Sequence, residues 1–144
     1  MLRKYIKKQK EENIELFINE QKRNFNFKYK NNNESKEIKV KFKFKKKIKN
    51  MGWTFYNCSS LKSIDLSSFN TNNVTDMNSM FRNCNSLKSI YLSSFNTNNV
   101  TNMNSMFYKC SSLKSIDYSF NTNIVTYMVD MFYDCSSLKS IDLS

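Results

Sequence analysis

Between Val74 and Cys84 the apolar residues fall at Val74, Met77, Met80, Phe81 and Cys84, at spacings of three, three, one and three. That is one apolar stripe at helical spacing, with Asn and Thr ahead of it as capping groups, so the pattern predicts a short helix. Upstream, Leu61-Lys62-Ser63-Ile64-Asp65-Leu66 alternates. Ile64 and Leu66 fall on one side of a short strand, with Ser63, Asp65 and Ser67 on the other. A strand and a helix alternating in every unit predict a right-handed α/β coil with a parallel sheet. Nearer the start, Leu2, Tyr5, Ile6, Ile14, Phe17 and Ile18 predict an amphipathic helix within residues 1–22, interrupted near Lys10. Phe25 to Tyr29 then alternates with period two. After a polar turn from Asn31 to Ser35, Ile38, Val40, Phe42 and Phe44 oppose Lys39, Lys41, Lys43 and Lys45. This second pattern predicts a β-hairpin that caps the first coil of the C-terminal two thirds.

The strand-and-stripe pattern recurs because the sequence itself repeats. Cys58 to Phe81 and Cys84 to Phe107 differ only at Ser59/Asn85, Asp65/Tyr91 and Asp76/Asn102. A third copy starts at Cys110 and a fourth at Cys135, which stops mid-unit at Ser144. A fixed period of this length predicts a solenoid in which each unit buries its apolar face against its neighbours. The expected organisation is therefore a basic cap over residues 1–50 and a repeat block over residues 51–144. The expected fold is α/β, with parallel strands on one face, short helices on the other, and a helix plus β-hairpin at the N-terminal end.

The motif SLxSIDLSxFNTxNVTxMxxMFxxC resembles the repeat of BspA-like leucine-rich-repeat proteins, a family that includes bacterial and protist surface proteins. The resemblance covers residues 51–144 and implies a leucine-rich-repeat-like solenoid, with cell-surface adhesion or protein binding as the expected role. The N-terminus carries no signal peptide, which by itself points to the cytoplasm.

Charge divides the chain as the repeat does. Residues 1–50 hold 17 Lys/Arg and 6 Asp/Glu, whereas residues 51–144 hold 6 of each, so the net charge of +11 lies in the first third. Lys39, Lys41, Lys43, Lys45, Lys46 and Lys47 form a stripe that suits a nucleic acid or an anionic membrane. The plainer reading is an edge strand kept from aggregating by its lysines. Cys58, Cys84, Cys110 and Cys135 occupy one equivalent site at spacings of 26, 26 and 25. They read as a column of buried thiols acting as small apolar groups, with disulfide bonding left open. The chain has no His, no Gly-rich phosphate loop and no CxxC pair, so neither an enzyme nor a metal site nor a cofactor is expected.

The exposed face of the predicted sheet supplies the leading candidate site. Lys62, Lys88 and Lys114 form one column, and Asp65, Tyr91 and Asp117 form another beside it. A regular polar sheet is what a repeat protein offers a protein or glycan partner, and Tyr91 is the best single contact candidate. A merely solvated face is the rival reading. Asn70, Asn96 and Asn121 read as structural, satisfying backbone groups of the adjacent turn. The chain stops on a strand without a covering element, which predicts end-to-end self-association through the last coil.

Overall fold

The computed structural model describes residues 14–18, 20–23, 40–44, 47–66, 69–92, 94–117 and 120–139. The chain divides into two compact units, one spanning Arg3–Lys47 and one containing Ile48–Ser144. In the first unit, β1 (Ile14–Ile18) lies between β2 (Gln21–Arg23) and β3 (Val40–Phe44) in an antiparallel sheet. Leu16 pairs with Arg23 across one edge, and Ile14 with Phe44 and Ile18 with Val40 across the other. Lys22 Nζ meets Glu15 Oε1 at 2.6 Å between the paired strands.

This corrects the predicted N-terminal helix: Ile14–Ile18 is a strand. Ile14, Phe17 and Ile18 fit a helical stripe, but Ile14-Glu15-Leu16-Phe17-Ile18 also offers β-favouring apolar groups at alternate positions, and pairing on both edges decides the matter. The hairpin is corrected too, since Val40–Phe44 pairs with β1. Residues 1–13 and 24–39, which carry the rest of those two readings, lie outside the described residues.

In the second unit the chain winds through four successive coils, beginning near Lys49, Thr75, Thr101 and Thr126. No described residue is helical. The predicted helix of each coil is a run of tight turns, so the helix-and-strand leucine-rich-repeat solenoid is not the fold. The backbone of the second coil shows why. The N–H groups of Met77, Ser79, Phe81 and Asn83 donate to the carbonyls of Asn102, Asn104, Met106 and Tyr108 in the third coil, at 2.8–2.9 Å. Met80, Arg82 and Cys84 donate locally, to the carbonyls of Met77, Ser79 and Phe81. Asn78 N–H donates to Asp76 Oδ1 at 2.9 Å. Every N–H from Met77 to Cys84 is therefore satisfied without a single helical bond to the fourth preceding carbonyl.

The alternation requires left-handed backbone at two sites per coil. Trp53, Ser79, Ser105 and Asp130 have φ of 52–64°, as do Asn57, Asn83, Lys109 and Asp134 at 58–63°. Each is the third residue of a turn, where a type II geometry needs positive φ. Asn and Asp tolerate this conformation best, and they fill the second column in three coils of four. Turns that reverse every four residues point the same side chains inward that a helix would, so the apolar spacing mimics a helical stripe.

Strands appear in the middle coils: β4 (Ser89–Tyr91) pairs in parallel with β5 (Ser115–Asp117). Single parallel bridges join Asn50 to Asp76, Asp76 to Asn102 and Asn102 to Tyr127. The core runs through the stack. Met77, Met80, Phe81, Met103, Met106 and Phe107 are fully buried, as are Leu87, Leu92 and Leu113. Phe55, Phe81, Phe107 and Phe132 stack in a continuous column, with centroids 5.3, 5.5 and 5.5 Å apart and rings nearly parallel. Such pairs are worth about 0.5–1.5 kcal/mol each beyond the area they bury.

Candidate functional site

Two columns of equivalent side chains run inside the coil stack. The first holds the coils in register and is structural. Thr71 Oγ1 donates to Asn96 O at 3.0 Å and accepts from Asn96 N–H at 2.7 Å, and Thr97 does the same with Asn121. Asn70, Asn96 and Asn121 accept from the N–H two residues on, each at 3.0 Å. Their role is the backbone satisfaction expected from sequence.

The cysteines form a second internal column and are free thiols. Cys84, Cys110 and Cys135 donate from Sγ to the carbonyls of Phe55, Phe81 and Phe107 at 3.0–3.1 Å. Burial pushes the Cys110 thiol up to about 12, with the neighbouring Cys135 adding to the shift. Cys84 is raised further for the same reason. These thiols stay protonated, which suits a donor and opposes nucleophilic chemistry. Among the described residues no group of three or more His, Cys, Asp or Glu side chains could hold a metal ion.

The exposed sheet face brings most of the predicted contact residues together. Lys88 N–H donates to Lys62 O at 3.1 Å and Lys114 N–H to Lys88 O at 2.9 Å, so the three lysines sit on adjacent rungs. All three side chains are exposed, as is Asp65. Tyr91 is 65% exposed and lies directly across from Asp117 in the parallel pair. The face therefore carries an exposed aromatic group and three exposed lysines on successive rungs. Of the alternative lysine stripe, Lys41 and Lys43 lie on β3, opposite Phe17 and Glu15, and Lys47 is exposed. Lys39, Lys45 and Lys46 lie outside the described residues.

Residues 21–143 match the family model described as "Mycoplasma protein of unknown function, DUF285". The chain belongs to the DUF285 family. The match to DUF285 takes in β2 and β3 as well as the coils, whereas the leucine-rich-repeat resemblance begins only at residue 51. It carries no leucine-rich-repeat name. Searches among curated proteins and among solved structures returned no match.

One surface of this DUF285 chain escapes the sequence reading. Arg82 lies 3.8 Å over the Tyr108 ring, which stacks on Tyr133 at 4.8 Å. Tyr133 leaves more than half its surface exposed, and Ile124, Tyr127 and Val129 are exposed as well. The signal is there: these last three stand where the earlier units have Asn99, Asn102 and Asn104.

Proposed function

We propose that the protein is a non-enzymatic repeat scaffold that binds a protein partner through its exposed sheet face. The observation that carries this reading is Tyr91, 65% exposed on β4 while its chain neighbours Ile90 and Leu92 are buried. A soluble face needs no such residue, and the equivalent positions hold Asp65 and Asp117. An exposed tyrosine flanked by the Lys62, Lys88 and Lys114 column suits an anchored contact with a polar, acidic rim on the partner. An adhesive role at a cell surface is the form of this function that the repeat motif favours.

The test places a photo-crosslinking amino acid at Tyr91 and, in a second chain, at Asn123, which is exposed in a corner turn. A partner crosslinked from position 91 but not from 123 supports the reading. Combined Tyr91→Ala, Lys88→Ala and Lys114→Ala should then weaken binding of that partner by about a hundredfold, the loss of one anchoring side chain and its charged rim. Undiminished binding by the triple variant would overturn it.

A further inference from the structure

One residue past each buried phenylalanine of the turn run, the coils carry a further column: Tyr56, Arg82, Tyr108 and Tyr133. Asn57 N–H donates to Arg82 O and Asn83 N–H to Tyr108 O, both at 2.8 Å, which sets these residues on successive coils. Arg82 is the only arginine in residues 51–144 and interrupts a run of tyrosines. Its guanidinium carbon lies 3.8 Å over the Tyr108 ring, and Lys109 Nζ lies 5.6 Å from the same centroid. Asp134 holds the position of Lys109 in the next coil, yet among the described residues neither cation has a carboxylate partner. Stacking fixes the guanidinium plane and leaves its N–H edge unused, the arrangement that receives an oxyanion.

Beside this column stands Trp53, the chain's single tryptophan. It packs edge-on against Tyr56 with centroids 4.8 Å apart, and it stays 47% exposed. Its φ is 64°, a left-handed backbone that the equivalent Ser79, Ser105 and Asp130 share. A bulky side chain is disfavoured there, and burial does not offset the cost.

The chemistry narrows the ligand. Residues 51–144 hold 6 Lys/Arg and 6 Asp/Glu, so no polyanion is drawn along the stack. Arg82 and Tyr133 take both faces of Tyr108, so no nucleic-acid base stacks into the column. The N–H groups of Ser79, Phe81, Asn83 and Lys109 are bonded to the next coil, which leaves a peptide strand no edge to extend. What remains is a ligand with one carboxylate for Arg82 and Lys109. Its body offers a flat C–H face to Trp53 and Tyr56, and hydroxyls to the exposed Asn57 amide. We infer that this ridge binds an acidic saccharide, a pyranose carrying a carboxylate, on a segment of the coils separate from the sheet face.

The sole tryptophan reports on binding. Titrating the full chain with a glucuronate disaccharide or with sialyllactose should change Trp53 emission saturably, and the one that binds names the acid sugar. The carboxyl-reduced disaccharide and lactose should bind about tenfold more weakly or worse, and added salt should weaken the acidic ligand. Two variants, read by saturation-transfer NMR, separate binding from folding. Arg82→Tyr installs the residue of positions 56, 108 and 133, and Trp53→Ser that of positions 79 and 105, so the repeat already carries both. Each should keep or raise the urea midpoint of the parent while weakening the acid sugar about tenfold or more. Tyr91→Ala should leave saccharide binding unchanged, which separates this ridge from the sheet face. Equal affinity for acidic and neutral sugars, no saturable response to either acid sugar, tighter binding of an acidic peptide or a mononucleotide, or full binding by either variant would each overturn the proposal.

Discussion

At the scale of single residues, small polar and sulfur-bearing side chains add to the backbone bonds that tie one coil to the next. Thr97 is 1% exposed, and its hydroxyl both accepts from and donates to the backbone of Asn121. Thr97→Val keeps the shape and removes both bonds, leaving the part-buried Asn121 N–H without its partner. The expected cost is about 1–3 kcal/mol, measured by urea unfolding. A variant as stable as the parent would mean that this ladder is incidental. The thiols make a second prediction, in pH. The Cys110 thiol is raised by burial from 9.0 to about 12, so folding favours its protonated form. Its contribution is fully present below pH 9 and is lost as pH rises toward 12, because only the unfolded chain ionises early. Cys110→Ala should cost about 2 kcal/mol at neutral pH, by lost packing and a lost bond. That gap should narrow between pH 9 and 12, since the alanine variant has no thiol to ionise. A gap constant with pH would show that the thiol does not sense burial.

At the scale of elements, the sequence makes the periodicity of the coil legible rather than its conformation. Inward positions such as Met77, Met80, Phe81 and Cys84 read as one buried stripe, and all four are fully buried. The same stripe reads as a helix because spacing alone cannot distinguish a helical turn from a tight turn every four residues. The deciding features are Ser79 and Asn83, whose left-handed φ interrupts any helix, and Asp76, whose carboxylate takes the Asn78 N–H. Asn and Ser density is the available warning, since such residues bond locally and disfavour helix interiors. In the N-terminal unit the failure is one of partner choice. Val40–Phe44 is recognisable as a strand, but pairing with Ile14–Ile18 depends on closing a long loop, which local pattern does not encode. Of the candidate site, the Lys62, Lys88 and Lys114 column and Tyr91 are legible because a repeat fixes which positions align. The fourth-coil surface is not, because it is defined by departures from the repeat.

At the scale of the whole coil stack, stability should depend on how many neighbours a coil has, because each coil bonds and packs chiefly against the next. The phenylalanine column offers the cleanest measure. Phe81 stacks on both Phe55 and Phe107, and it is fully buried. Among the described residues Phe132 stacks on Phe107 alone, and it is only half-buried. Truncating a buried phenylalanine costs about 3–5 kcal/mol, so Phe81→Ala should fall in that range and uncouple the coils on either side of it. Phe132→Ala removes one stacked face and less buried area, and its cost should be about half as large. Urea unfolding of the two variants at one low concentration makes the comparison. The shape of the transition carries the rest of the argument. If nearest-neighbour contacts dominate, Phe81→Ala should broaden unfolding by splitting the stack, while Phe132→Ala should shift the midpoint and leave the slope nearly unchanged. Equal costs with equal slopes would instead mean that the coils unfold as one block whose stability is indifferent to position.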